Sequence, residues 1–134
     1  MQEFNTHRAL VVEDNEHILY MYEFMLRRAG YDVIAVANGQ DARAAIENIE
    51  PVDVVVLDLM LPYVSGYQLI SEIRSSPSWQ HVPIVVVSGK VLEIDIVKAL
   101  DLGASDYVTK PFRPDELLAR LRRVIADREK VKSV

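Results

Sequence analysis

Short runs of β-branched and apolar residues alternate along this chain with longer stretches whose apolar positions recur every three or four residues. The short runs fall at Ala9–Val12, Asp32–Val36, Val52–Leu57, Ile84–Val87 and Asp106–Thr109, each of a length suited to one strand. The longer stretches predict helices over roughly Glu16–Ala29, Gln40–Asn48, Gly66–Arg74, Glu93–Leu100 and Pro114–Arg128. Gly30 and Gly103 stand where the first and fourth helices should stop, since glycine accepts the left-handed backbone of a helix end without penalty. Pro51 and Pro83 mark strand starts, and Ser75–Pro83 reads as a polar connection containing Pro77.

The pattern of Val54-Val55-Val56-Leu57 lacks polar alternation, so this strand is expected to be buried on both faces. Five strand-then-helix units without a hairpin motif imply an α/β fold, a doubly wound parallel sheet with helices on both sides. At 134 residues the chain suits a single domain with a sizeable core, and no internal repeat interrupts it. The core is expected over about residues 8–126, with the charged tail 127–134 a helix end or the beginning of a linker.

Composition narrows the picture by exclusion. Half the residues are hydrophobic and 26% are charged, as in soluble globular proteins. No apolar run reaches the ~20 residues that span a bilayer. The N-terminal MQEFNTHR lacks the apolar stretch of a secretory leader, so a cytoplasmic location is expected. The chain has no cysteine, which removes disulfides and thiolate metal sites. A net charge of −5 argues against direct nucleic-acid binding.

In open α/β sheets, ligands bind beyond the carboxyl ends of the strands. Here the first strand ends in Glu13-Asp14, the third in Asp58, the fourth in Ser88-Gly89 and the fifth in Thr109-Lys110-Pro111. Singly, each has an ordinary explanation: Glu13-Asp14 as a helix cap, Ser88 as a loop hydroxyl, Lys110 as a solvated charge. Together they bring three carboxylates, a hydroxyl and an ammonium to one pocket. Clustered carboxylates repel, and a hard divalent cation relieves the repulsion; an all-oxygen ligand set suits Mg²⁺. Lys110 and Ser88, lacking an anion of their own, would clamp a phosphoryl group together with the cation. An ionised Asp58 needs no general base to attack phosphorus, so it is the candidate nucleophile, held in place by a rigid buried strand.

The segments ALVVEDN, AGYDV, DVVVLDLMLPYVSGYQL, PIVVVSG and GASDYVTKPF, in this order, resemble the receiver domain of two-component response regulators from about Arg8 to Ala126. The resemblance implies a flavodoxin-like fold of five helices and five strands in the order 2-1-3-4-5. It implies that Asp58 is the phosphoacceptor, taking its phosphoryl group from a histidine kinase or a phosphotransfer domain. Glu13 and Asp14 match the acidic pair; Asp14, Asp58 and the Met60 carbonyl would bind Mg²⁺ directly. Lys110 matches the phosphoryl-binding lysine, and the bond from Lys110 to Pro111 is usually cis in such proteins. Ser88 matches the switch hydroxyl and Tyr107 the switch aromatic, expected to rotate inward on phosphorylation. Such a protein is a signalling switch rather than an enzyme acting on other substrates.

The segment GASDYVTKPFRPDELLARLRR is similar to regulators that carry DNA-binding domains and dimerise through the fourth helix, fifth strand and fifth helix. Asp106, Glu116 and Arg120 fit the ion pairs of that interface, while Ile96 and Ser105 depart from it. Ile96 is expected on the outer side of its helix. The connection SSPSWQHVP is instead similar to those of stand-alone receivers and of receivers attached to hybrid kinases.

Two rival functions and several weaker features complete the reading. A haloacid-dehalogenase-like phosphohydrolase also uses a strand-end Asp with Mg²⁺, but it needs a second Asp where this chain has Met60. A degenerate receiver that only binds partners is opposed by the full set of site residues. His7, His17 and His81 share no metal-binding spacing and are expected at the surface. On the first helix Ile18, Met21, Tyr22 and Met25 follow core spacing. That leaves Tyr20 and Phe24 outward as a docking patch for a kinase or phosphotransfer helix bundle. Neither Met60 nor Lys90, each two residues past a site residue, can orient a hydrolytic water, so slow self-dephosphorylation is expected.

Overall fold

The computed structural model describes residues 7–132 and therefore leaves most of the MQEFNTHR segment and the last two residues of the tail outside the described region. Strands β1 (Arg8–Val12), β2 (Asp32–Val36), β3 (Val54–Leu57), β4 (Ile84–Ser88) and β5 (Asp106–Thr109) alternate with helices α1 (Glu16–Arg28), α2 (Gly39–Asn48), α3 (Gly66–Ser75), α4 (Glu93–Leu102) and α5 (Pro114–Lys132). All strand pairs are parallel, and the sheet order is β2-β1-β3-β4-β5.

The sheet separates two apolar layers. Leu10, Val12, Val55, Leu57, Ile84 and Val86 face Ala42 and Ile46 of α2, Leu69, Ile70 and Ile73 of α3, and Ala99 of α4. Ala9, Val11, Val54, Val56, Val85 and Val87 face the layer that holds Tyr22 and Leu26 of α1 with Leu117 and Leu121 of α5. Successive strand side chains point to opposite faces, so the unbroken apolar run of β3 feeds both layers. β1, β3 and β4 are buried almost throughout, whereas β2, at the edge, is only half-buried.

The elements lie where the hydrophobic pattern puts them, with three instructive differences. β3 begins at Val54 rather than Val52, because the Asp53 carboxylate accepts the Arg8 backbone N–H at 2.7 Å and the β1–β3 register starts at Ala9 and Val54. The Ser75–Pro83 connection is not simply polar: Trp79 within it is fully buried in the layer shared with α2 and α3. Met21 follows core spacing on α1 yet is exposed, since that flank of the helix lies over a groove toward α5 rather than over the sheet. α5 runs on through Lys132, so residues 127–132 are helical.

Candidate functional site

The strands end together at one edge of the sheet, and the polar residues at those ends meet there. β1 ends in Val12, after which Glu13 turns inward and is buried, while Asp14 stays exposed. The N-cap of α1 is Asn15, whose side-chain oxygen accepts the N–H groups of His17 and Ile18 at 3.0 and 3.1 Å. Because Asn15 caps the helix, neither acidic residue is committed to that role. The Asn15 N–H in turn donates to Glu13 Oε2 at 3.0 Å.

Asp58 follows β3 and is itself buried. Its Oδ1 accepts the Met60 N–H at 3.1 Å, which aims the carboxylate along the edge of the sheet. Immediately beyond, α3 begins against the same backbone: a Cβ on Gly66 would collide with the Asp58 carbonyl and with Leu59 Cα. Carboxylate oxygens of Glu13, Asp14 and Asp58 lie within 4.8 Å of one another, a set able to hold a metal ion.

Lys110 corrects one expectation. Its ammonium is not without an anion: Nζ donates to Glu13 Oε1 and to Asp58 Oδ2, each at 2.8 Å. Burial alone would lower the Lys110 pKa, but hydrogen bonds to Asp58 and Glu13 and their charges outweigh it and raise it above the ordinary lysine value. The lysine thus offsets part of the carboxylate repulsion. The backbone places it, since Lys110 N–H donates to the Ser88 carbonyl at 2.9 Å. The bond from Lys110 to Pro111 is cis. Phe112, just beyond, stacks on Tyr22 of α1 with ring centroids 5.3 Å apart.

Ser88 ends β4 and is fully buried, its hydroxyl accepting the Lys90 N–H at 3.3 Å. Tyr107 of β5 is half-buried against the α2–α3 layer and donates its hydroxyl to the Lys90 carbonyl at 2.7 Å. Burial pushes its phenol pKa upward. The ring is therefore already inward, with Ser88 and Tyr107 joined through the backbone of one residue, Lys90. Met60 is exposed, and the Lys90 ammonium faces Asp95 at 3.8 Å rather than the carboxylate cluster.

Outside the cluster, Tyr20 and Phe24 are exposed on α1, as their spacing suggests, and exposed Met21 joins them. Arg120 bonds Asp106 at 2.9 Å and Glu116 at 3.0 Å within the same chain. Ile96 is half-buried; the outward apolar residues of α4 are instead Ile94, 74% exposed, with Val97 and Leu100, 45% and 43% exposed. Ser105 has a local task, its hydroxyl accepting the Ile84 N–H at 3.0 Å. His17 and His81 are exposed and His7 is half-buried, 3.3 Å from Glu129. Tyr67, Asp95 and Lys98 form a polar group beside Lys90 that the sequence did not suggest, because it draws on both α3 and α4.

The family model for the response regulator receiver domain matches residues 9–122, and the chain belongs to that family. It is 42% identical over 117 residues to the sensory transduction protein RegX3 of Mycolicibacterium smegmatis, covering 87% of this chain and 50% of that protein. It is 39% identical over 118 residues to the alkaline phosphatase synthesis transcriptional regulatory protein PhoP of Bacillus subtilis, covering 88% and 48%. The chain thus spans about half the length of the curated relatives it matches. Among solved structures, a CheY-like receiver domain protein from Methanospirillum hungatei superposes with a TM-score of 0.87 at 28% identity, covering 94% of this chain and 98% of that one. The receiver domain of the sensor histidine kinase PA1611 from Pseudomonas aeruginosa, which holds a magnesium ion in its active-site cleft, has a TM-score of 0.83 at 35% identity, covering 91% and 99%. The fold is the flavodoxin-like receiver fold, and the phosphohydrolase alternative finds no support. Among the described residues no helix is long and apolar enough to cross a membrane.

Proposed function

We propose that Asp58 accepts a phosphoryl group from a phosphohistidine on a histidine kinase or phosphotransfer protein, with Mg²⁺ as cofactor. The observation that carries this reading is the Asp58 carboxylate itself, buried at a strand end and tied to Lys110 within a three-carboxylate cluster. A buried carboxylate is costly unless compensated, and here one ammonium compensates two. Exposed Asp14 and buried Asp58 are the proposed direct cation ligands, with the Met60 carbonyl as a third and Glu13 completing the acidic set. Bound there, the cation would neutralise charge on the transferring phosphoryl oxygens.

In the transfer, an Asp58 carboxylate oxygen forms the new bond to phosphorus. The phosphorus–nitrogen bond breaks, and its electron pair stays on the donor imidazole. Lys110 then has a phosphoryl oxygen as a further acceptor, and the Ser88 hydroxyl donates to another. A pull on Ser88 reaches Tyr107 through Lys90, which is how a new charge would bias the face formed by α4, β5 and α5. That face is where self-association is proposed, and Tyr20 and Phe24 on α1 are the proposed docking point for the donor. Residues 1–134 would then be one receiver domain, cytoplasmic, without nucleic-acid contacts of its own. Slow self-hydrolysis belongs to the same reading, because exposed Met60 offers an incoming water no good acceptor.

Incubation with Mg²⁺ and a small phosphodonor should give one acid-labile phosphate per chain, located on Asp58 by mass spectrometry, and none in Asp58→Asn. Wild-type incorporation by that variant would reject the assignment. Met60→Asn should shorten the lifetime of the phosphorylated form, read as its decay after donor removal.

A further inference from the structure

α4 is the least anchored helix of the fold. Among its described residues only Ala99 is buried, and its N-cap, Leu92, has no side chain that can bond the free N–H groups of the first turn. Yet the first turn of α4 and the loop from Gly89 to Leu92 must hold their place, because the Lys90 backbone joins Ser88 to Tyr107. What holds them is on α3. The Tyr67 hydroxyl donates to Asp95 Oδ1 at 3.2 Å, with the Asp95 carbonyl 3.5 Å away. Asp95 Oδ1 also faces the Lys90 ammonium at 3.8 Å. The Lys98 and Lys90 ammonium groups lie 4.3 and 5.8 Å from the Tyr67 ring centroid, so two cations lie over one aromatic ring.

Tyr67 is also next to Gly66, the residue packed onto the Asp58 carbonyl. A connection therefore runs from the phosphoacceptor loop through Tyr67 and Asp95 to Lys90, separate from the route through Ser88. We infer that Tyr67 is a positioning residue: through Asp95 it fastens the segment around Lys90 in the form that seats Tyr107 inward. Burial and the Asp95 hydrogen bond push the Tyr67 phenol up to about 12, so it stays a donor throughout the physiological range. This inference rests on the receiver reading for its consequence, but the fastening itself is a property of the free protein.

Because α4 has little else to hold it, one hydrogen bond is a large share of what fixes its first turn. Tyr67→Phe keeps the ring and its cations and removes only the hydroxyl. It should weaken Mg²⁺-dependent binding of the phosphate mimic beryllofluoride by roughly fivefold, the factor one net hydrogen bond is worth. Affinity for Mg²⁺ alone should stay unchanged, since the hydrogen bonds of Tyr67 go to Asp95 and not to Glu13, Asp14 or Asp58. In a Tyr107→Phe background, where the hydroxyl that grips Lys90 is absent, the same substitution should have little further effect. Amide hydrogen exchange at Lys90 and Val91 should quicken in Tyr67→Phe without any ligand. Equal beryllofluoride affinity with unchanged exchange would overturn the inference, as would an equal loss in both backgrounds. A wild-type protein that ignored beryllofluoride would reject the receiver reading instead, and exchange at Lys90 would still decide the role of Tyr67.

Discussion

The two ends of the sheet each hold a half-buried cation, and they use it differently. At the carboxyl edge, the Lys110 ammonium bridges two side-chain carboxylates, Glu13 and Asp58. At the opposite edge, the Arg74 guanidinium bridges backbone carbonyls: Gly103 at 2.7 and 3.0 Å, Val82 at 2.6 Å and Gln80 at 3.0 Å. Burial lowers the Arg74 pKa, and a guanidinium keeps its charge in proteins. Carbonyls at a helix end and a loop have few alternative partners, so Arg74 is a fixture. Gly103 shows how close it lies: with φ of 120°, it also leaves no room for a side chain beside Arg74. The carboxylates of the other edge, with Asp14 beside them, form a set able to hold a metal ion as well. One end is fixed by backbone partners; on the proposed function, the other takes up a second cation.

Substitutions at each end separate these roles. The largest expected effect is functional: Asp58→Asn should lose all phosphorylation while its melting temperature stays near that of wild type, since the amide can still accept from Lys110. Next is Trp79→Ala at the fixed end. Emptying that fully buried site should cost about 4 kcal/mol in denaturant unfolding, with phosphorylation per folded molecule retained.

Two cation deletions then test the contrast directly. Lys110→Ala leaves Glu13 and Asp58 buried without their counter-charge and should cost about 3 kcal/mol in EDTA. Much of that loss should return when Mg²⁺ is added. Arg74→Ala should cost about 2 kcal/mol by stranding the Gly103 and Val82 carbonyls, and Mg²⁺ should recover none of it. Equal behaviour of the two variants toward Mg²⁺ in thermal melts would erase the distinction between the ends.

The smallest effect concerns a pair outside both ends. Arg43 donates twice to Glu72, linking α2 to α3, and holds the Glu72 carboxyl below its ordinary pKa. A depressed carboxyl stabilises the fold above its unfolded pKa and loses that contribution as pH falls through the folded value. The difference in melting temperature between wild type and Arg43→Ala should therefore be constant near neutrality and vanish below the usual carboxylate range. Persistence of the difference in strong acid would show that Arg43 acts through packing instead.

Much of this was open to reading from the chain alone. Strand and helix positions follow from the periods of their apolar residues, and the parallel sheet follows from strictly alternating units, while the strand order came from the family resemblance. The candidate site was legible for the same reason: in a parallel sheet every strand points the same way, so residues that follow strands in sequence must gather at one edge. Glu13, Asp14, Asp58, Ser88 and Lys110 are local in that sense. Their grouping needs only topology.

What the chain did not disclose are choices made between elements. Whether Lys110 waits for an anion or takes Glu13 and Asp58 depends on distances across three strands. Trp79 sits among polar neighbours in sequence and is drawn inward by the apolar layer on one face of the sheet, in which it is fully buried. Met21 keeps core spacing but stays outside because α5 does not close over it. Tyr67 and Asp95 are 28 residues apart and meet only when α3 and α4 pack. Periodicity specifies which face of an element is apolar; tertiary packing alone decides what each face meets, because pair distances between elements are set by shape and not by spacing along the chain.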